Sequence, residues 1–148
     1  MSLLDSLNKD MVAAMKSHDK ATLGTVRMLK AAVANEKINL GHDLTPDEEL
    51  AVLSRELKQR KDSIKEYEEA GRDDTVTQLK QEIKIVQGYM PEQLSTDEVR
   101  AIVSQTITEV GATSKADFGK VMKAVMPKLK GQADGKLVNQ LVNEQLNE

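Results

Sequence analysis

The residues with the most evident chemical potential lie near the end of the chain, in the stretch Gly131-Gln132-Ala133-Asp134-Gly135-Lys136-Leu137. Two glycines, an acid and a lysine in close order raise the question of a phosphate-binding loop. Such a loop needs four residues between its glycines, a strand before it, and a Ser or Thr after the lysine to hold magnesium. Here Gln132, Ala133 and Asp134 alone separate the glycines, a basic helical segment precedes them, and Leu137 follows the lysine. The stretch reads instead as a turn between helices. Gly131 would be the left-handed residue that ends one helix, Asp134 the cap of the next, and Gly135 the residue that keeps the turn tight.

Around this turn the charge is unevenly distributed. Between Lys115 and Lys136 stand six lysines (Lys115, Lys120, Lys123, Lys128, Lys130 and Lys136) against two acids, Asp117 and Asp134. Lys120 and Lys123 are three apart and share a helical face, while Phe118, Val121, Met122, Val125 and Leu129 mark the opposite, core-facing stripe. Lys128, Lys130 and Lys136 bracket the turn, where helix-start amides are also suited to receive an anion. The whole chain has a formal net charge of −3. Residues 1–92 carry 14 Lys and Arg against 17 Asp and Glu, and residues 93–148 carry 7 against 7. One basic patch in an acidic protein fits contacts to a nucleic-acid backbone; a plain solvated face is the alternative reading of the same lysines.

Other chemistries find less support. The chain has no cysteine, which excludes disulfides, thiolate catalysis and cysteine-ligated metals. His18 and His42 stand apart from each other and from any Glu-x-x-His spacing, so no metal site is expected and both should be surface residues near helix ends. The acidic runs Asp47-Glu48-Glu49, Glu66 to Glu69 and Asp73-Asp74 fall in first helical turns or on solvated faces. No nucleophile, base and orienting acid come together in sequence, so no catalytic residue and no cofactor is assigned. Tyr67, Tyr89 and Phe118 are the only aromatic residues. Base-stacking platforms use several exposed rings, so nucleic-acid binding here would rest on charge and shape. The opening MSLLDSLNKDM lacks a basic region followed by an apolar run, and no stretch approaches the roughly 18 apolar residues of a membrane span. A cytoplasmic protein is expected, with neither a membrane nor DNA as partner.

The elements that must hold these side chains all have helical period, and the fold class expected is all-α. Leu4, Leu7, Met11 and Met15 mark a first stripe; Leu23, Val26, Leu29 and Val33 mark a second, closed by Gly41. Thr45-Pro46-Asp47-Glu48 is a capping box with proline at the first helical position. It opens a long helix with Leu50, Leu53, Leu57 and Ile64 facing inward, ended near Gly71. In that helix Glu56 and Arg60, and Lys58 and Asp62, have the spacing of an intrahelical salt-bridge lattice. Val76, Leu79, Ile83, Val86 and Met90 then form an apolar seam up to Pro91. Ser95-Thr96-Asp97-Glu98 is a second capping box. The boundary is placed there: an N-terminal helical domain of about four helices at 1–92, and a small three-helix domain at 93–148 with helices at Val99–Val110, about Lys115–Leu129 and Gly135–Leu146.

Four stretches carry a family likeness: MSLLDSLNKDM with VRMLKAAVANE, LSRELKQRKDSIKEYEEAGR, YMPEQLSTDEVRAIV, and GATSKADFGKVMKAVMPKLKGQADGKLVNQLVNEQL. They resemble the bacterial YqeY family, also called GatB/YqeY-like, along essentially the full chain. The order GKVM, MPKLKG, ADGKLVN is the most specific part. The resemblance implies two helical parts, the second similar to the C-terminal tail of the GatB subunit of glutamine-dependent tRNA amidotransferase. A related domain is appended to some glutaminyl-tRNA synthetases. In those enzymes the tail contacts the outer corner of tRNA and carries no amidation chemistry. The role carries over to Lys120, Lys123, Lys130 and Lys136, whereas Gln132 stands where many relatives would have Arg or Lys.

The reading that follows is a noncatalytic tRNA-binding module acting in translation, docking on the tRNA elbow through a lysine patch, possible companions being an amidotransferase or an aminoacyl-tRNA synthetase. Two alternatives stay open. One is a protein adaptor docking through the N-terminal helices and the seam Val76 to Met90; the other is amidotransferase-type carbon-nitrogen ligation with glutamine as donor.

Overall fold

The computed structural model describes residues 2–147. These form α1 (Leu3–Ser17), α2 (Lys20–Leu40), α3 (Pro46–Glu69), α4 (Asp73–Gln87), α5 (Thr96–Val110), a 3-10 turn (Lys115–Asp117), α6 (Phe118–Leu129) and α7 (Gly135–Leu146). No strand occurs among the described residues, so the protein is all-helical. The chain divides into two compact units, one running to Pro91 and the other starting at Glu92.

In the first unit local chemistry fixes the helix ends. Thr45 and Glu48 cap each other's backbone at the start of α3 with Pro46 at the first helical position, and Ser2 with Asp5 do the same for α1. Reciprocal capping satisfies two amides that the helix itself leaves without partners. Glu49 from α3 reaches across to the Leu3 amide at 2.5 Å, so one helix start stabilises another. Gly41 ends α2 in the left-handed conformation. His18 does so for α1 with φ of 57°, an uncommon conformation for a residue with a side chain.

Leu3, Leu7, Val26, Leu29, Val33, Val52, Leu53, Leu57 and Val86 make the core of this unit, with Met11, Ile83 and Met90 packed against it. The α1 stripe departs from the expected one: Leu3, Leu7 and Ala14 point inward, while Leu4 and Met15 remain 37% and 49% exposed. Neighbouring leucines differ by about 100° around a helix, and Leu3 rather than Leu4 takes the inner position. The α4 seam does point inward, Val76 and Val86 being buried and Leu79, Ile83 and Met90 half-buried. α4 stops at Gln87, not at Pro91; Tyr89 and Met90 follow in tight turns that bond back to the Val86 and Gln87 carbonyls.

The expected intrahelical lattice on α3 is also different. Arg60 does pair with Glu56 at 2.9 Å, but it is buried, 6% exposed, and also donates to Glu82 of α4 at 3.3 Å. Arg55 pairs with Glu36 of α2 at 2.7 Å. Arg55 and Arg60 thus join α3 to its neighbours.

The second unit opens with the Ser95–Glu98 capping box, and Gly111 closes α5 in the left-handed conformation. Val99, Val103, Val121, Val125, Leu129, Val138, Leu141, Val142 and Leu146 form its core, with Phe118 and Met122 packed against them. The helix expected from about Lys115 begins as a 3-10 turn and becomes α-helical only at Phe118. Asp117 accepts from the Thr113 amide at 2.9 Å, which ties the turn back on itself before the helix proper starts.

Candidate nucleic-acid interface

α6 is strongly amphipathic, and its inner stripe of Val121, Val125 and Leu129 fixes where its lysines point. Lys120 and Lys123 lie at about 200° and 140° from the Phe118 position around the helix, opposite that stripe, and both are exposed. Lys128 lies on a flank. Its Nζ donates to Glu109 Oε2 at 2.6 Å and to Thr106 Oγ1 at 3.1 Å, both on α5. The structure therefore separates Lys128 from the outward pair, a division that spacing alone did not give.

The remaining candidates surround this face. Lys115 is exposed in the 3-10 turn, Lys130 is exposed immediately after α6, and Lys136 is exposed in the first turn of α7. Lys115, Lys120, Lys123 and Lys136 have no ion-pair partner among the described residues. The two acids of the segment are engaged with backbone: Asp117 with the Thr113 amide and Asp134 with the Lys136 amide, at 3.0 Å.

The turn itself is a helix connection. Gly131 has φ of 73°, Asp134 is the N-cap, and α7 starts at Gly135. The Lys136 amide already has a carboxylate on it, and a second negative group at that point would meet like charge.

Two anchoring residues were not visible in sequence. Gln93 Nε2 donates to the Gly131 carbonyl at 2.6 Å, and the Leu94 amide donates to the Gln132 carbonyl at 2.9 Å. The Gln132 backbone is thus fastened to the start of the unit, and its side chain sits half-buried. A polar residue two positions before a capping box gives no sequence signal of a bond to a turn 38 residues away.

Elsewhere, His18 and His42 are exposed at helix ends, as expected. No group of three or more His, Asp or Glu side chains able to hold a metal ion occurs among the described residues. No helix among them is long and apolar enough to cross a membrane.

An all-helical protein of two small units, with a lysine face on the middle helix of the second, is the class these features define. The chain belongs to the YqeY family: the family described as "Yqey-like protein" matches residues 4–146. Its relatives include proteins named "Altered inheritance of mitochondria protein 41, mitochondrial". That of Pyrenophora tritici-repentis is 28% identical over 146 residues, covering 96% of this chain and 80% of the relative. That of Lachancea thermotolerans is 35% identical over 115 residues, covering 74% and 62%. That of Kluyveromyces lactis is 30% identical over 131 residues, covering 82% and 70%. These relatives are fungal and carry mitochondrial names, so they lend no support to a bacterial source or a plainly cytoplasmic location.

Proposed function

We propose that residues 93–148 form a noncatalytic module that docks on the elbow of tRNA, with lysine contacts to phosphates positioning it and the shape of the folded RNA selecting it. The observation that carries this reading is the outward pair Lys120 and Lys123 on α6, set opposite the core stripe and without ion-pair partners among the described residues. Lys115, Lys130 and Lys136 extend the patch from the elements on either side. Lys128 is left out of it, because its ammonium is committed to Glu109. The likeness of this segment to the GatB tail supports tRNA over other RNAs, and the paucity of aromatic side chains favours backbone contacts over base stacking. A location shared with the mitochondrial relatives is part of the same reading.

The test is a gel shift of the full chain with bulk tRNA at low salt. The wild type shifts, and Lys120→Glu/Lys123→Glu abolishes the shift while circular dichroism stays unchanged. An undiminished shift by the folded double variant would sink the assignment. Glutamine-dependent ammonia transfer by the isolated protein would overturn its noncatalytic part.

A further inference from the structure

The α4 seam packs inward, but another apolar strip does not. Leu4, Val12 and Met15 of α1 are 37%, 46% and 49% exposed, with half-buried Met11 between them. They fall within an arc of about 100° of the helix surface and run along about 16 Å of it, three turns, with the exposed Asn8 among them. α2 borders this strip: Lys30 Nζ lies 3.6 Å from Met11 Sδ, and Leu4 shares a cavity with Val33, Lys37 and Leu44. The row of α2 on that side is Leu23, Arg27, Lys30, Ala34 and Lys37, three cations, with Asp19 at the N-cap one turn before Leu23. Lys37 is paired with Asp43 at 2.7 Å, whereas Arg27 and Lys30 have no ion-pair partner among the described residues.

We propose that this α1–α2 face docks an amphipathic helix of a partner protein, with the partner's apolar stripe on Leu4, Met11, Val12 and Met15 and acidic residues beside that stripe meeting Arg27 and Lys30. The spacing of Leu4, Met11, Val12 and Met15 matches the anchors a helix lays in a groove, and methionines suit such surfaces because they adapt to the side chains they meet. The cationic row selects an acidic flank. A membrane is the poorer occupant: the strip has no aromatic anchor, and the row falls short of the four to eight basic residues typical of lipid-binding clusters. A second copy related by a two-fold axis would bring Arg27 and Lys30 towards the same cations. This inference concerns the first unit and stands apart from tRNA binding.

The test is selection on the full chain of a displayed library of helical peptides with a fixed leucine stripe, the flanking positions drawn from Glu, Gln and Lys. Glu should be enriched at the flanks. The enriched peptide should bind at least tenfold more weakly to Val12→Glu/Met15→Glu, and Arg27→Glu/Lys30→Glu should shift the selection to Lys. Val12→Ser/Met15→Ser serves if the charged variant loses its circular dichroism spectrum. No enrichment, no preference for Glu, or equal binding to the strip variant would each overturn the proposal. So would binding to anionic phospholipid vesicles, or self-association, that the strip variant abolishes; these outcomes would assign the face to a membrane or to a second copy.

Discussion

Arg60 of α3 and Glu82 of α4 meet inside the first unit, Nε to Oε1 at 3.3 Å, with side-chain exposures of 7% and 11%. Glu56 completes the group from one turn earlier on α3 at 2.9 Å. Removing one partner of a buried pair leaves a charge without compensation, which costs more than the pair contributes. Arg60→Ala strands two carboxylates and should destabilise the protein by about 3–5 kcal/mol. Glu82→Ala leaves Arg60 with Glu56 and should cost less. Urea unfolding of the two variants checks the order, and a larger loss for Glu82→Ala would contradict it.

Tyr89 donates a short hydrogen bond to Asp10. Partial burial, that hydrogen bond and the nearby Asp10 charge raise the Tyr89 pKa well above its ordinary value. A pKa raised by folding means that the unfolded chain loses its proton first as pH rises. The stability linked to this proton is therefore complete below the ordinary tyrosine pKa of about 10 and declines as pH climbs through the interval above it. Tyr89→Phe should flatten the alkaline part of the stability curve relative to wild type, measured by thermal melts from pH 8 to 11. Parallel curves would show that the Tyr89 proton is not linked to folding.

If tRNA is held by lysine-phosphate contacts, its affinity should fall steeply with salt, by about 0.7–0.9 in log-log slope for each phosphate neutralised. Lys120→Ala/Lys123→Ala should lower the slope by roughly 1.4 to 1.8. Filter binding across a salt series gives both numbers, and an unaltered slope would mean that these lysines touch no phosphate.

Lys128→Ala provides the contrast within the same segment. It removes an exposed pair with Glu109 and a bond to Thr106, for a stability loss of at most about 1 kcal/mol. The salt slope of tRNA binding should stay at the wild-type value. A drop as large as that for Lys120 and Lys123 would bring Lys128 into the interface.

Asp134→Ala separates the cap from the charge. The lost N-cap should cost about 1 kcal/mol, while removing one of the two acids in the lysine segment should tighten tRNA binding. Thermal melts and filter binding on one preparation would show the opposite signs.

The parts of this fold legible in sequence were those decided by neighbours. The boxes at Thr45–Glu48 and Ser95–Glu98, the left-handed glycines 41, 111 and 131, and the start of α7 at Gly135 follow from side chains a few residues apart. What depends on a partner from another helix was not legible. Leu3 and Leu4 are equivalent in composition, and the packed helices choose the phase. Arg60 looks like a surface residue until α4 brings Glu82 to it. Lys128 and Lys123 are the same residue type five positions apart, and only α5, with Glu109, makes one of them a structural cation. The lysine patch was readable as a composition bias, and its division into outward and committed members was not.

The bonds from Gln93 and Leu94 to the Gly131–Gln132 turn bear on grafting this unit onto another protein. A graft cut at the Ser95 capping box would keep all three helices and still leave two turn carbonyls without their donors. The smallest transferable cassette therefore begins before its first helix, with the two residues that look like linker.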